Sequence, residues 1–119
     1  MSGPDSSPAP DRYARQRILP EFGDGAQAAL AKAHVVIVGV GALGCTSADL
    51  LCRAGVGRLT LIDRDVVEWS NLQRQALYDE EDARRGVPKA EAAAARLARV
   101  NSSITITPIV ADFTGANAE

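Results

Sequence analysis

Val35-Val36-Ile37-Val38 runs straight into Gly39-Val40-Gly41-Ala42-Leu43-Gly44, and that junction constrains the fold more than any other part of the chain. Four consecutive β-branched residues read as a strand buried on both faces. A strand that ends in Gly-x-Gly-x-x-Gly and passes into a helix is the opening unit of an α/β nucleotide-binding fold. The first glycine permits a tight turn, the second lets a phosphate approach the backbone, and the third lets helix pack on strand. Free amides and the helix dipole favour an anion at such a helix start. Taken alone, the pattern also suits a glycine-rich turn of purely structural use.

The remaining periodicities extend this unit. The helix after the loop reads to about Ala54, with Leu43, Ser47, Leu50, Leu51 and Ala54 as one stripe. Gly55-Val56-Gly57 closes it, and Arg58–Ile62 forms a second strand ending at Asp63. A further helix starts at Pro88, turns Ala90, Ala93, Ala94, Leu97 and Val100 inward, and ends near Asn101. Ile104–Val110 is a third strand whose Ile/Thr alternation suits an edge. Upstream, Arg12–Leu19 forms two helical turns stopped by Pro20, and Asp24 caps a helix over Ala26–Ala33. The fold class is α/β: a Rossmann-like parallel sheet with helices on both faces, present as a βαβαβ half. Its expected strand order is third, second, first. Residues 1–11 read as a disordered Pro/Ser/Gly-rich tail and residues 12–119 as one nucleotide-binding domain.

Composition removes several function classes. Thirteen basic against fifteen acidic side chains leave a net charge of −2, which argues against a nucleic-acid partner. No apolar run reaches about 18 residues, so no membrane span is expected. The start lacks the blocks of a signal peptide, so the expected location is the cytoplasm. With 46% apolar residues but only two Tyr, two Phe and one Trp, the core must be aliphatic. Cys45 and Cys52 fall on one helix face and read as reduced, half-buried thiols, and the lone His34 offers them no metal-site partner.

The candidate chemistry lies after the second strand. Asp63, 24 residues beyond Gly39, is placed to meet ribose hydroxyls. NAD and ATP satisfy it equally, so hydride transfer and nucleotidyl transfer both stay open. The connection from Arg64 to Val87 is long for a compact domain, and such segments are commonly functional. It carries Ser70-Asn71-Leu72-Gln73-Arg74-Gln75 and leads into Gly86-Val87-Pro88-Lys89. Arg74 and Lys89 are cations beside a nucleotide loop, as phosphate chemistry requires. Lys89 sits in a first helical turn, where its charge opposes the dipole, so helix stability does not account for it.

The strings RYARQ, VVIVGVGALGC, AGVGRLTLIDRDVVEWSNLQRQ and GVPK resemble the ThiF/MoeB/HesA superfamily of ubiquitin-activating-enzyme-like adenylyltransferases. The resemblance runs from about Asp11 to the chain end. It implies ATP-dependent activation of the C-terminal carboxylate of a ubiquitin-like or sulfur-carrier protein ending in Gly-Gly, as an acyl-adenylate. It places Gly39, Gly41, Ala42 and Gly44 at the nucleotide loop and Asp63 on the ribose. Asp65, Ser70, Asn71, Leu72, Gln73, Arg74 and Gln75 follow at the nucleotide, with Arg74 and Lys89 on the phosphates. Arg15 resembles an arginine supplied across a homodimer. Ala42 stands where the family often has a second glycine.

The aspartate–asparagine motif that positions Mg²⁺ in the family does not occur through Glu119, nor do the crossover-loop cysteine and paired CxxC zinc ligands. The chain is therefore expected to be the N-terminal part of an adenylyltransferase, its pathway left open among molybdopterin, thiamine, cysteine and specialised-metabolite biosynthesis. A NAD-dependent oxidoreductase is the alternative, but it leaves SNLQRQ and Lys89 idle. A non-catalytic nucleotide-binding or dimerisation subunit is a third reading, against which the presence of both Arg74 and Lys89 speaks.

Overall fold

A computed structural model describes residues 11–112. The expected tail therefore lies, apart from Asp11, outside the described residues. The elements in chain order are α1 (Ala14–Arg17), α2 (Gly23–Lys32), β1 (His34–Val38), α3 (Ala42–Ala54), β2 (Arg58–Ile62), α4 (Glu80–Arg85), α5 (Lys89–Val100) and β3 (Thr105–Ile109), with a 3-10 turn at Trp69–Asn71. The strands form one parallel sheet in the order β1-β2-β3, the order expected. Val35 is opposite Leu59, and Leu59 is opposite Ile106.

The core lies between one sheet face and the two long helices. Leu59 and Leu61 of β2 meet Cys45, Ala48 and Cys52 of α3 and Ala93 and Leu97 of α5. Val35, Ile37 and Ile106 border this cluster. Helices were expected on both faces. Among the described residues α3 and α5 share one face, because successive right-handed crossovers advancing in one direction deliver each helix to the same side. The alanine run of α5 suits this packing, since alanine loses no side-chain entropy and allows close approach.

Burial departs from expectation at three points. The β1 strand is not buried on both faces: Val36 and Val38 are 48% and 55% exposed, because β1 is an edge and no described helix covers that side. The stripe assigned to α3 is rotated. Leu43 and Leu50 are exposed, while Cys45, Ala48 and Cys52 face the core. Both thiols are thus fully buried, not half-buried, and burial pushes both thiol pKa values up. Small side chains win these positions because α3 packs closely against sheet and α5.

Helix ends also differ from expectation. Only Ala14–Arg17 of the first segment is helical, and Pro88 caps α5 from outside instead of occupying its first turn. Asp24 lies inside the first turn of α2 and pairs with Arg17, so it is not the cap. Helix α4 was not anticipated. Asp79 accepts the Asp82 amide at 2.9 Å, the Asp82 carboxylate accepts the Asp79 amide at 3.0 Å, and Gly86 ends the helix in the left-handed region.

Helix α1 is fastened to the end of the domain where the strands begin. Gln16 Nε2 donates to the Ala54 carbonyl at 2.7 Å, and Arg12 donates to the Val100 carbonyl at 3.0 Å. Asn101, fully buried, donates to the Tyr13 hydroxyl and the Cys52 carbonyl, both at 2.8 Å. No helix among the described residues is long and apolar enough to cross a membrane.

Candidate nucleotide site

The glycine loop leaves β1 at the carboxyl end of the sheet. The Gly39 amide donates to the Ile62 carbonyl at 2.8 Å, so the ladder holds the loop's first residue. Gly39 then turns with φ of 89°, a conformation costly for any residue with a side chain. A Cβ on Gly44 would stand 2.0 Å from the Gly39 carbonyl oxygen, so helix α3 meets the turn with no room for one. Gly41 is different: a Cβ there would meet nothing nearer than Gln75 Nε2 at 3.9 Å. The second glycine therefore leaves open space at the helix start, where an anion is favoured.

Asp63 follows β2 and accepts two amides, from Val40 at 2.8 Å and from Asp65 at 2.7 Å. It lines a cleft of about 180 Å³ with Val38, Gly39, Ile62, Arg64, Asp65 and Asp112. Asp65 continues into a second, polar cleft of about 320 Å³ lined by Val66, Glu68, Asn71 and Lys89. The loop after β2 sets that geometry. The Lys89 amide donates to the Asp65 carbonyl at 2.8 Å, and the Val67 amide to the Val87 carbonyl at 2.8 Å. This antiparallel contact carries the start of α5 to the sheet's carboxyl end and Lys89 with it.

Lys89 is only 8% exposed, and among the described residues no carboxylate lies within ion-pair distance of its side chain. Its stem is buried while its ammonium opens on the polar cleft, where a polyphosphate would give that charge a partner. Gln75 is 5% exposed and its Oε1 is buried without a hydrogen-bond partner. The Gln75 atom nearest Gly41 is its Nε2, a donor that suits an anionic ligand in the space left open there. These two side chains suit ATP. Among the described residues no group of three or more His, Cys, Asp or Glu is placed to hold a metal.

The sequence-assigned residues separate into three groups. Gly39, Gly41, Ala42, Gly44, Asp63, Asp65, Asn71, Gln75 and Lys89 come together around the loop and the two clefts. Asn71 also braces the turn, its Oδ1 accepting the Glu68 amide at 2.9 Å. Ser70, Gln73 and Arg74 are exposed on the same segment, with Arg74 donating to the Ser70 carbonyl at 3.1 Å, whereas Leu72 packs against the core. Arg15 stands apart on α1, at the far end of α3 from the loop. The 13 residues of α3 span roughly 20 Å, so Arg15 does not reach the loop of its own chain. Tyr78 and Cys45 are the loop contacts that sequence reasoning did not assign to the site. The Tyr78 hydroxyl donates to the Val40 carbonyl at 2.5 Å, and the Cys45 thiol to the same oxygen at 3.5 Å.

The chain is 50% identical over 106 residues to the sulfur carrier protein ThiS adenylyltransferase of Bacillus subtilis, covering 89% of this chain and 32% of that protein. It is 53% identical over 98 residues to the molybdopterin-synthase adenylyltransferase of Salmonella typhimurium, covering 82% of this chain and 39% of that protein. The chain thus spans about a third of the length of these relatives. Among solved structures, the E. coli tRNA N6-threonylcarbamoyladenosine dehydratase TcdA in complex with ATP superposes with a TM-score of 0.81 at 32% identity, over 89% of this chain and 42% of that one. E. coli MccB with ATP gives a TM-score of 0.78 at 32% identity, over 92% of this chain and 33% of that one. The sequence profile of the ThiF family matches residues 13–119, and the chain belongs to that family.

Proposed function

We propose that this chain is the nucleotide-binding part of an ATP-dependent adenylyltransferase working in the cytoplasm. Its second substrate is a ubiquitin-like or sulfur-carrier protein whose C-terminal Gly-Gly carboxylate it activates as an acyl-adenylate. The observation that carries this reading is Lys89, a largely buried lysine with no carboxylate partner among the described residues, lining a polar cleft that shares Asp65 with the cleft at Gly39. Hydride transfer gives that charge no task. The relatives named as adenylyltransferases of sulfur-carrier and molybdopterin-synthase systems support the same reading.

When bound, ATP supplies the AMP group: a carrier carboxylate oxygen bonds to the α-phosphorus, and the bond to pyrophosphate breaks with its electron pair on the leaving group. The attacking carboxylate is itself the nucleophile, so the protein needs no nucleophilic side chain. Its residues position and neutralise. Asp63 holds the ribose, the amides around Gly41 and Ala42 meet phosphate, and Lys89 balances the negative charge that grows on the departing oxygens. Arg74 joins Lys89 by turning from the exposed face of the Ser70–Gln75 segment once phosphate is present. Arg15 completes the site of a second copy in a homodimer. Its exposure, its distance from its own loop, and the exposed Ile18 and Leu19 beside it support that assignment.

Carrier-dependent exchange of pyrophosphate into ATP, with Mg²⁺ present, tests the reading in the full-length protein. Lys89→Met, which keeps the buried stem, should lower exchange by at least about 10²-fold, the usual effect of removing one electrostatic donor. Unchanged exchange would make Lys89 a structural lysine and remove the reading's main support.

A further inference from the structure

Val40 is fully buried at the crown of the glycine loop, and its peptide groups are held from two sides. Its amide donates to Asp63. Its carbonyl accepts the Tyr78 hydroxyl at 2.5 Å and, more weakly, the Cys45 thiol at 3.5 Å. Tyr78 is itself 7% exposed. Burial raises its phenol pKa well above the ordinary value, so it is a neutral donor throughout the physiological range.

Tyr78 also belongs to the segment that forms the second cleft. The Gln75 amide donates to the Asn71 carbonyl at 2.9 Å, and the Tyr78 amide to the Gln75 carbonyl at 3.3 Å. One continuous turn therefore presents Asn71 to the cleft, Gln75 to Gly41 and Tyr78 to Val40.

We propose that Tyr78 is a positioning residue for the nucleotide: through the Val40 carbonyl its hydroxyl fixes the height of the glycine loop against the segment that carries Asn71. The inference rests on the ATP-binding reading above. Without the hydroxyl, a buried carbonyl keeps only a thiol as donor, and a thiol is a weak one. The loop then relaxes away from the position at which its amides meet phosphate.

The test is Tyr78→Phe in the full-length protein, with Leu97→Val as a control that loosens the core away from the loop. ATP affinity by calorimetry, pyrophosphate-exchange kinetics and hydrogen exchange at the amides of residues 39–44 are compared at equal distance below each melting temperature. Tyr78→Phe should weaken ATP about tenfold, the effect of one buried hydrogen bond left unmade. It should raise KM for ATP more than it lowers kcat, and speed amide exchange in the loop, whereas Leu97→Val should do neither. Tyr78→His, which keeps a ring N–H donor, should recover part of the affinity. Wild-type binding with equal affinity in Tyr78→Phe would overturn the positioning role and leave the ATP reading standing. A wild-type protein that binds no ATP would overturn both.

Discussion

The Val40 amide donates to one oxygen of the Asp63 carboxylate at 2.8 Å, so the residue assigned to the ribose is also the anchor of the glycine loop. Its other oxygen accepts the Asp65 amide at 2.7 Å. An ionised carboxylate offers about four acceptor sites. Two are used to fix the backbone on either side of the cleft, and the others are available to the ribose hydroxyls of the proposed ligand. Asp63→Asn sets an NH₂ group against one of those amides. It should lower the melting temperature and weaken ATP by more than about tenfold, since hydrogen bonds to a charged acceptor are worth about 1.5–3 kcal/mol. Calorimetry with ATP and with AMP checks this. A normal melting temperature would mean that the loop does not depend on the carboxylate.

Gly44 and Gly41 should respond oppositely to alanine. At Gly44 the new Cβ would overlap the Gly39 carbonyl, a backbone atom that cannot swing aside, so Gly44→Ala should destabilise the fold and abolish ATP binding. At Gly41 the backbone has negative φ, and the nearest atom is a side-chain nitrogen at 3.9 Å. Gly41→Ala should therefore keep its melting temperature and lose affinity only because the methyl group fills space left for phosphate. Paired thermal melts with and without ATP distinguish the two. Equal melting temperatures for both variants would contradict the packing assignment of Gly44.

Much of this was legible in the residues because the glycine loop ties local conformation to topology. The Gly-x-Gly-x-x-Gly spacing located β1, the loop and α3 together, and the aspartate after β2 followed from the same geometry. The inward face of α5 was legible too, since an alanine and leucine stripe has only one apolar side. The face of α3 was misread because it follows apparent hydrophobicity. Leu43 and Leu50 are larger and more apolar than Cys45 and Ala48, yet the crowded interior accepts the smaller pair. Helix α4 lacks a clear sequence signal because its capping box pairs Asp79 with Asp82, where the usual pattern has Ser or Thr followed by Glu or Gln. Tyr78 carried no signal at all: its value lies in a contact across 38 residues that no local pattern encodes.

The buried thiols make stability sensitive to alkali. Burial raises the pKa of Cys45 and of Cys52, so the folded state binds their protons more tightly than the unfolded chain does. Their contribution is complete below the unfolded thiol value of about 8.5 and is lost as pH rises through the folded values. Tyr78 adds to the loss from about pH 10, the unfolded phenol value. Melting temperature should therefore hold near neutrality and decline above roughly pH 8.5. Cys52→Ala should flatten the first part of that decline. In the native protein both thiols should resist a disulfide reagent until denaturant is added. Rapid labelling of the folded protein would mean that the α3 face is not packed as described.

Arg15 offers the most direct test of a shared site. It is exposed on α1, makes no ion pair among the described residues, and lies the length of α3 away from its own loop. If it serves the loop of a second copy, two inactive subunits should complement each other. The companion mutation should be Lys89→Ala, not a change at Asp63, because Asp63 also anchors the loop and its loss would confound the result. An Arg15→Ala subunit mixed with a Lys89→Ala subunit assembles heterodimers that hold one site with both mutations and one with neither. With random mixing, about half of the dimers are mixed, so pyrophosphate exchange should return to roughly a quarter of wild-type activity, provided exchange needs only the local site. Full-length protein, denatured and refolded as a mixture, provides the material, and separately refolded mutants give the baseline. Activity that stays at that baseline would assign Arg15 to a role within its own subunit, such as fastening α1, and leave the site complete without a partner.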